Sequence, residues 1–289
     1  MGKEYREELV GVFGDPVDEN PTVVVAQKAF ETMGIPYRYL TINVHPEDLK
    51  AALEGLKAMN FKGMHLTIPH KVAAIPYLDS ISEEASIMGA VNTIVNLNGK
   101  LYGENTDGKG FMTSVINAGI EVCEKKVTML GAGGAARAIA VELARAGIGE
   151  LVIINRSEER GRGLVETLKN HFPDLTVSYR RWNHTMVIDE NTNILVNTTD
   201  IGLYPHVDAR PDIDFNSIHS RMVVCDVIPN HPHTQLLKEA ERRQAKTIDG
   251  LGMLINQCVE SIRYWTGKTA EAEVMKEALA EEYGIDVYY

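Results

Sequence analysis

Short apolar, β-branched runs alternate along almost the whole chain with stretches in which apolar residues recur at helical spacing. This is the pattern of a mainly parallel sheet wrapped by helices. Residues 9–13 (Leu-Val-Gly-Val-Phe) predict a strand that ends in the turn Gly14-Asp15-Pro16. A helix over 22–33, a strand over 37–44, a helix over 46–59 with Pro46 at its start, and a buried strand over 63–68 follow. Pro69 then opens another helix. The segments 92–95 and 100–102 flank Asn98-Gly99, a strong hairpin signal, so an antiparallel ribbon interrupts the alternation. A helix carrying Phe111, Met112, Val115 and Ile116 leads into a second series of strands at 126–130, 151–155, 176–179, 194–197, 222–227 and 246–248. Leu254, Cys258, Ile262 and Trp265 then fall at spacings of four, four and three, one stripe of a terminal helix.

The pattern predicts an α/β chain of two domains. Residues 1–110 form a first α/β domain, 111–249 form a Rossmann-like, doubly wound domain, and the last stretch, 250–289, is helical. Composition narrows the partners. With 289 residues, 29 Lys+Arg against 40 Asp+Glu and a net charge of −11, the chain has no basic block for tracking phosphates, so a nucleic-acid partner is not expected. No apolar run is long enough to span a bilayer, and the first residues are charged where a signal peptide is apolar. Cys123, Cys225 and Cys258 have no metal-type spacing, which points to a reduced cytoplasm and no structural metal. His231 and His233, around Pro232, lack a third ligand spaced near them. Small-molecule chemistry, on a monomer or homodimer, is the remaining expectation.

The predicted strand 126–130 runs into Gly131-x-Gly133-x-x-Ala136 and a helix carrying Ile139, Leu143 and Ala146. This is the dinucleotide-binding arrangement in the context that gives it meaning. Gly131 permits the tight turn and Gly133 the approach of a pyrophosphate. Ala132, Gly134 and Ala135 belong to the segment whose backbone N–H groups face the anion. The next strand ends in Asn155-Arg156-Ser157, with Arg160 a helical step beyond, where an NAD site usually carries Asp or Glu. Two guanidiniums and a hydroxyl suit a 2′-phosphate, so NADP is the expected cofactor, with NAD as the alternative because Glu158 and Glu159 lie beside them.

Thr67-Ile68-Pro69-His70-Lys71, Gly89-Ala90-Val91-Asn92-Thr93, Gly103-Glu104-Asn105-Thr106-Asp107-Gly108 and the segment 249–257 from Asp249 to Gln257 add a second layer. With the glycine fingerprint, these ordered motifs closely resemble the shikimate and quinate dehydrogenase family over nearly the whole chain. The resemblance implies an N-terminal α/β substrate domain, residues 1–110 completed by helices over 250–289, with the cofactor domain 111–249 inserted, an active site in the cleft between them, hydride exchange at a ring hydroxyl, and Lys71 with Asp107 as the proton-transfer pair. Removing a hydroxyl proton as hydride leaves needs such a base, whereas outside this motif a Lys/Asp pair is commonly a surface salt bridge. Thr67, Asn92 and Gln257 match positions that hydrogen-bond the ring hydroxyls, and Gly250 joins the cofactor-binding set. His70 is either a proton shuttle or a residue lining the helix start.

The departures sit on one side of the expected substrate. Where the family has two serines in a Ser-x-Ser-Pro segment receiving a carboxylate, this chain has Asn20 and Thr22, and Val23 replaces the proline. A tyrosine used at the carboxylate in many members aligns with Pro229. Ring-hydroxyl chemistry is retained while carboxylate recognition is rewritten, so shikimate, quinate and a related cyclic polyol acid all remain candidate substrates. The alternative from another class is a catalytically silent dinucleotide or metabolite sensor. Retention of both Lys71 and Asp107 argues against it.

Overall fold

The computed structural model describes residues 5–284. Residues 1–4, part of the charged start, and 285–289, the end of the expected completing helices, lie outside the described residues. The chain divides into two compact units, one of residues 5–106 with 255–284 and one of residues 107–254.

The first unit is built on β1 (Glu8–Gly14), α1 (Thr22–Thr32), β2 (Tyr37–Asn43), α2 (Leu49–Ala58), β3 (Gly63–Leu66) and α3 (His70–Ala73). It continues through β4 (Ser80–Ile81), α4 (Glu83–Met88), β5 (Thr93–Leu97) and β6 (Lys100–Glu104). Its six-stranded sheet has the order β2-β1-β3-β5-β6-β4. β2, β1 and β3 are parallel, and the β5–β6 hairpin runs antiparallel beside β3. Asn98 and Gly99 both take positive φ in the turn, which is why Asn-Gly stands there. Alternation along the strands separates two faces: Phe13, Met64, Leu66 and Ile94 join Leu49, Leu53 and Leu56 of α2 in one core. The short strand β4 carries no alternation of its own and pairs with β6 after a 3-10 turn at Ile75–Tyr77. The helix expected over 46–59 is divided, a 3-10 turn at Pro46–Asp48 preceding α2.

The second unit runs through α5 (Asp107–Asn117), β7 (Lys126–Leu130), α6 (Gly134–Arg145), β8 (Glu150–Asn155), α7 (Glu158–His171) and β9 (Thr176–Arg181). β10 (Ile194–Asn197), β11 (Val223–Asp226), α8 (Gln235–Arg242) and β12 (Lys246–Ile248) complete its sheet. The order β12-β11-β10-β7-β8-β9 is parallel throughout, the doubly wound arrangement in which the strand order reverses beside β7. Strands buried on both faces read as continuous apolar runs, and Leu151, Val152, Ile153 and Ile154 of β8 are all at most 1% exposed. α9 (Gly250–Thr266) begins in the second unit and continues into the first, and α10 (Ala272–Tyr283) packs on α1.

Candidate active site

In the second unit, β7 delivers the chain into the glycine turn. Gly131 has φ +112°, and a Cβ there would lie 2.5 Å from Thr198 Oγ1, so only glycine fits. Gly133 differs, because it is exposed and a Cβ on it would meet nothing within 4 Å. No packing within the protein requires glycine at this position, which N-caps α6 without a side-chain hydrogen bond. An open helix N-terminus with nothing over its cap fits a pyrophosphate lying against the backbone, with Ala132, Gly133, Gly134 and Ala135 around it. Ala136 is fully buried where α6 crosses its sheet.

At the end of β8, the Asn155 side chain donates to the Ser157 carbonyl (2.8 Å), and its own carbonyl accepts from the Tyr179 hydroxyl (3.0 Å). Ser157 caps α7 by accepting from the Arg160 N–H (3.3 Å). Arg156 and Arg160 are exposed, while Glu158 turns along its helix to bind Arg162 at 2.7 Å. Sequence reasoning missed Arg137, in the first turn of α6. Its partial burial, and then the like charge of Arg160, lower the guanidinium below its ordinary value. An arginine pressed close to another cation marks a place that an anion would stabilise. The signal available was its position in the residue directly after Ala136 of the fingerprint. Gly250 has a steric reason of its own, since a Cβ would lie 2.5 Å from the Ile228 backbone. Asp107, 5% exposed, opens α5 in this unit. Pro229 follows β11 and is half-buried.

In the first unit, β5, the loop after β6 and α9 gather a buried cluster of uncharged polar groups. The Asn92 amide donates to Thr106 Oγ1 (3.0 Å) and Gln257 Oε1 (3.4 Å), and its oxygen accepts from the Thr106 N–H (2.8 Å). The Thr93 hydroxyl lies 2.8 Å from that of Ser261. Thus Asn92 and Gln257, 165 residues apart in sequence, are brought together. Thr67 is half-buried just past β3, where a Cβ on Gly14 would strike its methyl, so the β1 glycine leaves room for it. Lys71 is half-buried on the one-turn helix α3, and its carbonyl accepts from the Val91 N–H (2.7 Å). His70 points inward, fully buried, with Nε2 on the Val44 carbonyl at 2.8 Å, the lining role rather than an exposed shuttle. Asn20 accepts from the Thr22 N–H (3.0 Å) in the turn that starts α1, and Thr22 is buried.

Sequence reasoning also missed His65 and Tyr39, which meet across the sheet at 2.7 Å, Tyr39 hydroxyl to His65 Nδ1. Burial, and then the charge of Lys71, push the His65 pKa down to about 3, so this imidazole is neutral. Burial also holds the Tyr39 phenol well above its usual range. Among the described residues no His, Cys, Asp or Glu group is arranged to hold a metal ion, and no helix is long and apolar enough to cross a membrane.

A parallel sheet that presents an open helix N-terminus, with Arg137, Arg156 and Arg160 on the same unit, fits a phosphorylated dinucleotide. The companion unit, with its half-buried lysine and neutral hydrogen-bonding cluster, is suited to a hydroxylated substrate, and the class these features define is the dinucleotide-dependent oxidoreductases. Family models agree in chain order: the shikimate dehydrogenase substrate binding domain matches residues 12–94, shikimate / quinate 5-dehydrogenase matches 115–199, and the shikimate 5′-dehydrogenase C-terminal domain matches 250–280. A shikimate dehydrogenase (NADP(+)) of Moorella thermoacetica is 40% identical over 277 residues, covering 96% of this chain and 94% of its own. Among solved structures, the ligand-free 5-ketofructose reductase of Gluconobacter sp. is 39% identical with a TM-score of 0.88, covering 96% of this chain and all of its own. A shikimate dehydrogenase in complex with NADP+ is 36% identical with a TM-score of 0.89, covering 96% of each chain. The chain belongs to the shikimate/quinate dehydrogenase family and is an oxidoreductase.

Proposed function

We propose that the protein exchanges hydride between NADP(H) and a ring hydroxyl or ketone of shikimate, quinate or a related cyclic polyol, with Lys71 and Asp107 as the proton-transfer pair. The observation that carries this reading is the neutral cluster of Asn92, Thr106 and Gln257 in the same unit as Lys71. The nicotinamide dinucleotide supplies or accepts the hydride when bound. In the oxidation direction Lys71 Nζ takes the proton from the substrate hydroxyl, and in reduction it returns that proton to the ketone oxygen. Asp107 supports the charge that Lys71 gains or loses. Thr67, Asn92 and Gln257 orient the substrate hydroxyls, with Asn20 and Thr22 on its far side.

Arg156, Arg160 and Arg137, with Ser157, favour NADP over NAD, because a 2′-phosphate would relieve the repulsion between Arg137 and Arg160. The substrate domain of this reading is residues 1–110 with 250–289, and the cofactor domain is 111–249. A second substrate reading, 5-ketofructose, is favoured by the 39% identity to the reductase of that name together with Asn20, Thr22 and Pro229 in place of the carboxylate-side residues that the resemblance implies. The cytoplasm is the compartment in which the free thiols of Cys123, Cys225 and Cys258 would persist, and the working form is a monomer or homodimer.

The deciding experiment follows absorbance of the reduced nicotinamide with shikimate or quinate plus NADP+, and with 5-ketofructose plus NADPH, in wild type and Lys71→Ala. Turnover that depends on Lys71 supports the proposal. Cofactor binding without turnover of any of the three overturns it and favours a sensor.

A further inference from the structure

His65 is a buried titratable residue that the proton-transfer scheme does not use. It is 4% exposed on β3, two residues before Thr67 and therefore on the same face of that strand. In the sheet register it stands opposite Val12 of β1 and Thr93 of β5, the residue after Asn92. Trp265 of α9 closes on its ring edge-on, with centroids 4.6 Å apart. Nδ1 is held by the Tyr39 hydroxyl at 2.7 Å. Nε2 is buried and has no hydrogen-bond partner within the protein. Two neutral groups of the sheet, the Tyr39 phenol and the His65 imidazole, therefore end on an unmet ring nitrogen in the strand that leads into Thr67.

Leaving a buried polar atom unmet is costly, so such an atom calls for a partner that arrives from outside the chain. We propose that His65 is a specificity-determining residue whose Nε2 hydrogen-bonds a hydroxyl of an uncharged polyhydroxylated substrate. This assignment deepens the oxidoreductase reading above and rests on it. When Tyr39 donates to Nδ1, the ring proton is carried on Nε2, which then donates to the substrate oxygen. The depressed basicity of the imidazole agrees with an uncharged partner, since a bound carboxylate would draw a proton onto the ring. Asn20 is likewise engaged, its amide oxygen accepting from the Thr22 N–H. This side of the unit reads hydroxyl positions, and substrate choice follows from leaving His65 Nε2 paired or unpaired.

The test compares kcat/KM for 5-ketofructose with NADPH and for shikimate with NADP+ in wild type, His65→Phe and Tyr39→Phe. The expected result is a wild-type preference for 5-ketofructose, lost by about thirtyfold or more in His65→Phe and by about fivefold in Tyr39→Phe, with KM for NADPH unchanged. The unchanged cofactor KM reports that the fold is intact, and Tyr39→Phe carries the test if His65→Phe fails to fold. A wild-type preference for shikimate overturns the inference, as does a His65 or Tyr39 variant that folds and stays within threefold of wild type, the behaviour of a nitrogen that meets only an ordered water. In both cases Lys71-dependent turnover survives, which separates this failure from failure of the oxidoreductase reading, where neither substrate is turned over.

Discussion

The two units handle polar chemistry in opposite ways. In the second unit the binding groups stand at the ends of parallel strands: an exposed Gly133 at an open helix terminus and the exposed Arg156 and Arg160. In the proposed scheme these groups take the pyrophosphate through backbone and the 2′-phosphate through point charge. In the first unit the polar groups are buried and satisfy one another across strands, as Asn92 does with Thr106 and Gln257, and Tyr39 with His65. Recognition there depends on which hydrogen bond is left open, a property of the packed sheet rather than of a local motif. A shared cofactor therefore allows a fixed surface site, while substrate choice is written into the buried face of a sheet.

The strongest way to break this comparison is to remove the lysine proposed as proton carrier. Lys71→Ala should lower kcat by about a hundredfold to ten-thousandfold while leaving NADP+ affinity at its wild-type value, because the lysine belongs to the substrate unit. Stopped-flow turnover and fluorescence titration of the cofactor check both halves of that statement. Next in size is the basic cluster. Arg156→Ala, Arg160→Ala and Arg137→Ala should each raise KM for NADP+ by about tenfold to a hundredfold and leave KM for NAD+ nearly unchanged, and equal effects on both cofactors would remove the phosphate assignment.

The two fingerprint glycines sharpen the contrast at smaller scale. Gly131→Ala forces a side chain into φ +112° and against Thr198, so its melting temperature should fall, by an amount corresponding to about 1–3 kcal/mol of stability. Gly133→Ala meets nothing within 4 Å and should melt with wild type while binding NADP+ more weakly. The smallest effect expected is in pH dependence. Burial and Lys71 depress His65 from 6.5 to about 3, so its contribution to stability is complete above pH 6.5 and is lost as pH falls toward 3. Asp226 runs the other way. Its burial raises it from 3.8 to about 7 against the lowering hydrogen bonds from Thr234, Asn197 and Ile228, so its contribution is complete below pH 3.8 and is lost as pH rises through 7. Hydrogen exchange, corrected for intrinsic rates, should show β3 relatively less protected at pH 5 and β11 relatively less protected at pH 8.5.

Most of the fold was legible in the sequence for physical reasons that are local. Strands β7, β10 and β12 fall on the predicted ranges; β10 is buried throughout and β7 nearly so, and both read as short, mainly apolar runs between turn residues. β4 was not legible, since two residues cannot carry a period and its existence depends on the partner β6. Within the site, the tight turn at Gly131 follows from chemistry readable over a few residues, whereas the N-cap role of Ser157 was not read from the sequence. Arg137 was hidden because its role depends on Arg160, which the sequence places on a different helix. His65 and Tyr39 were hidden more deeply. A histidine in an apolar strand reads as core, and only the sheet register brings the phenol of β2 to one of its nitrogens and leaves the other unmet.

The measurement closest to the central claim is NADPH oxidation by the wild-type protein and by Lys71→Ala with 5-ketofructose, set beside NADP+ reduction with shikimate and with quinate. The account predicts Lys71-dependent turnover, fastest with the uncharged keto-sugar. A protein that binds NADPH but turns over none of these substrates would contradict it.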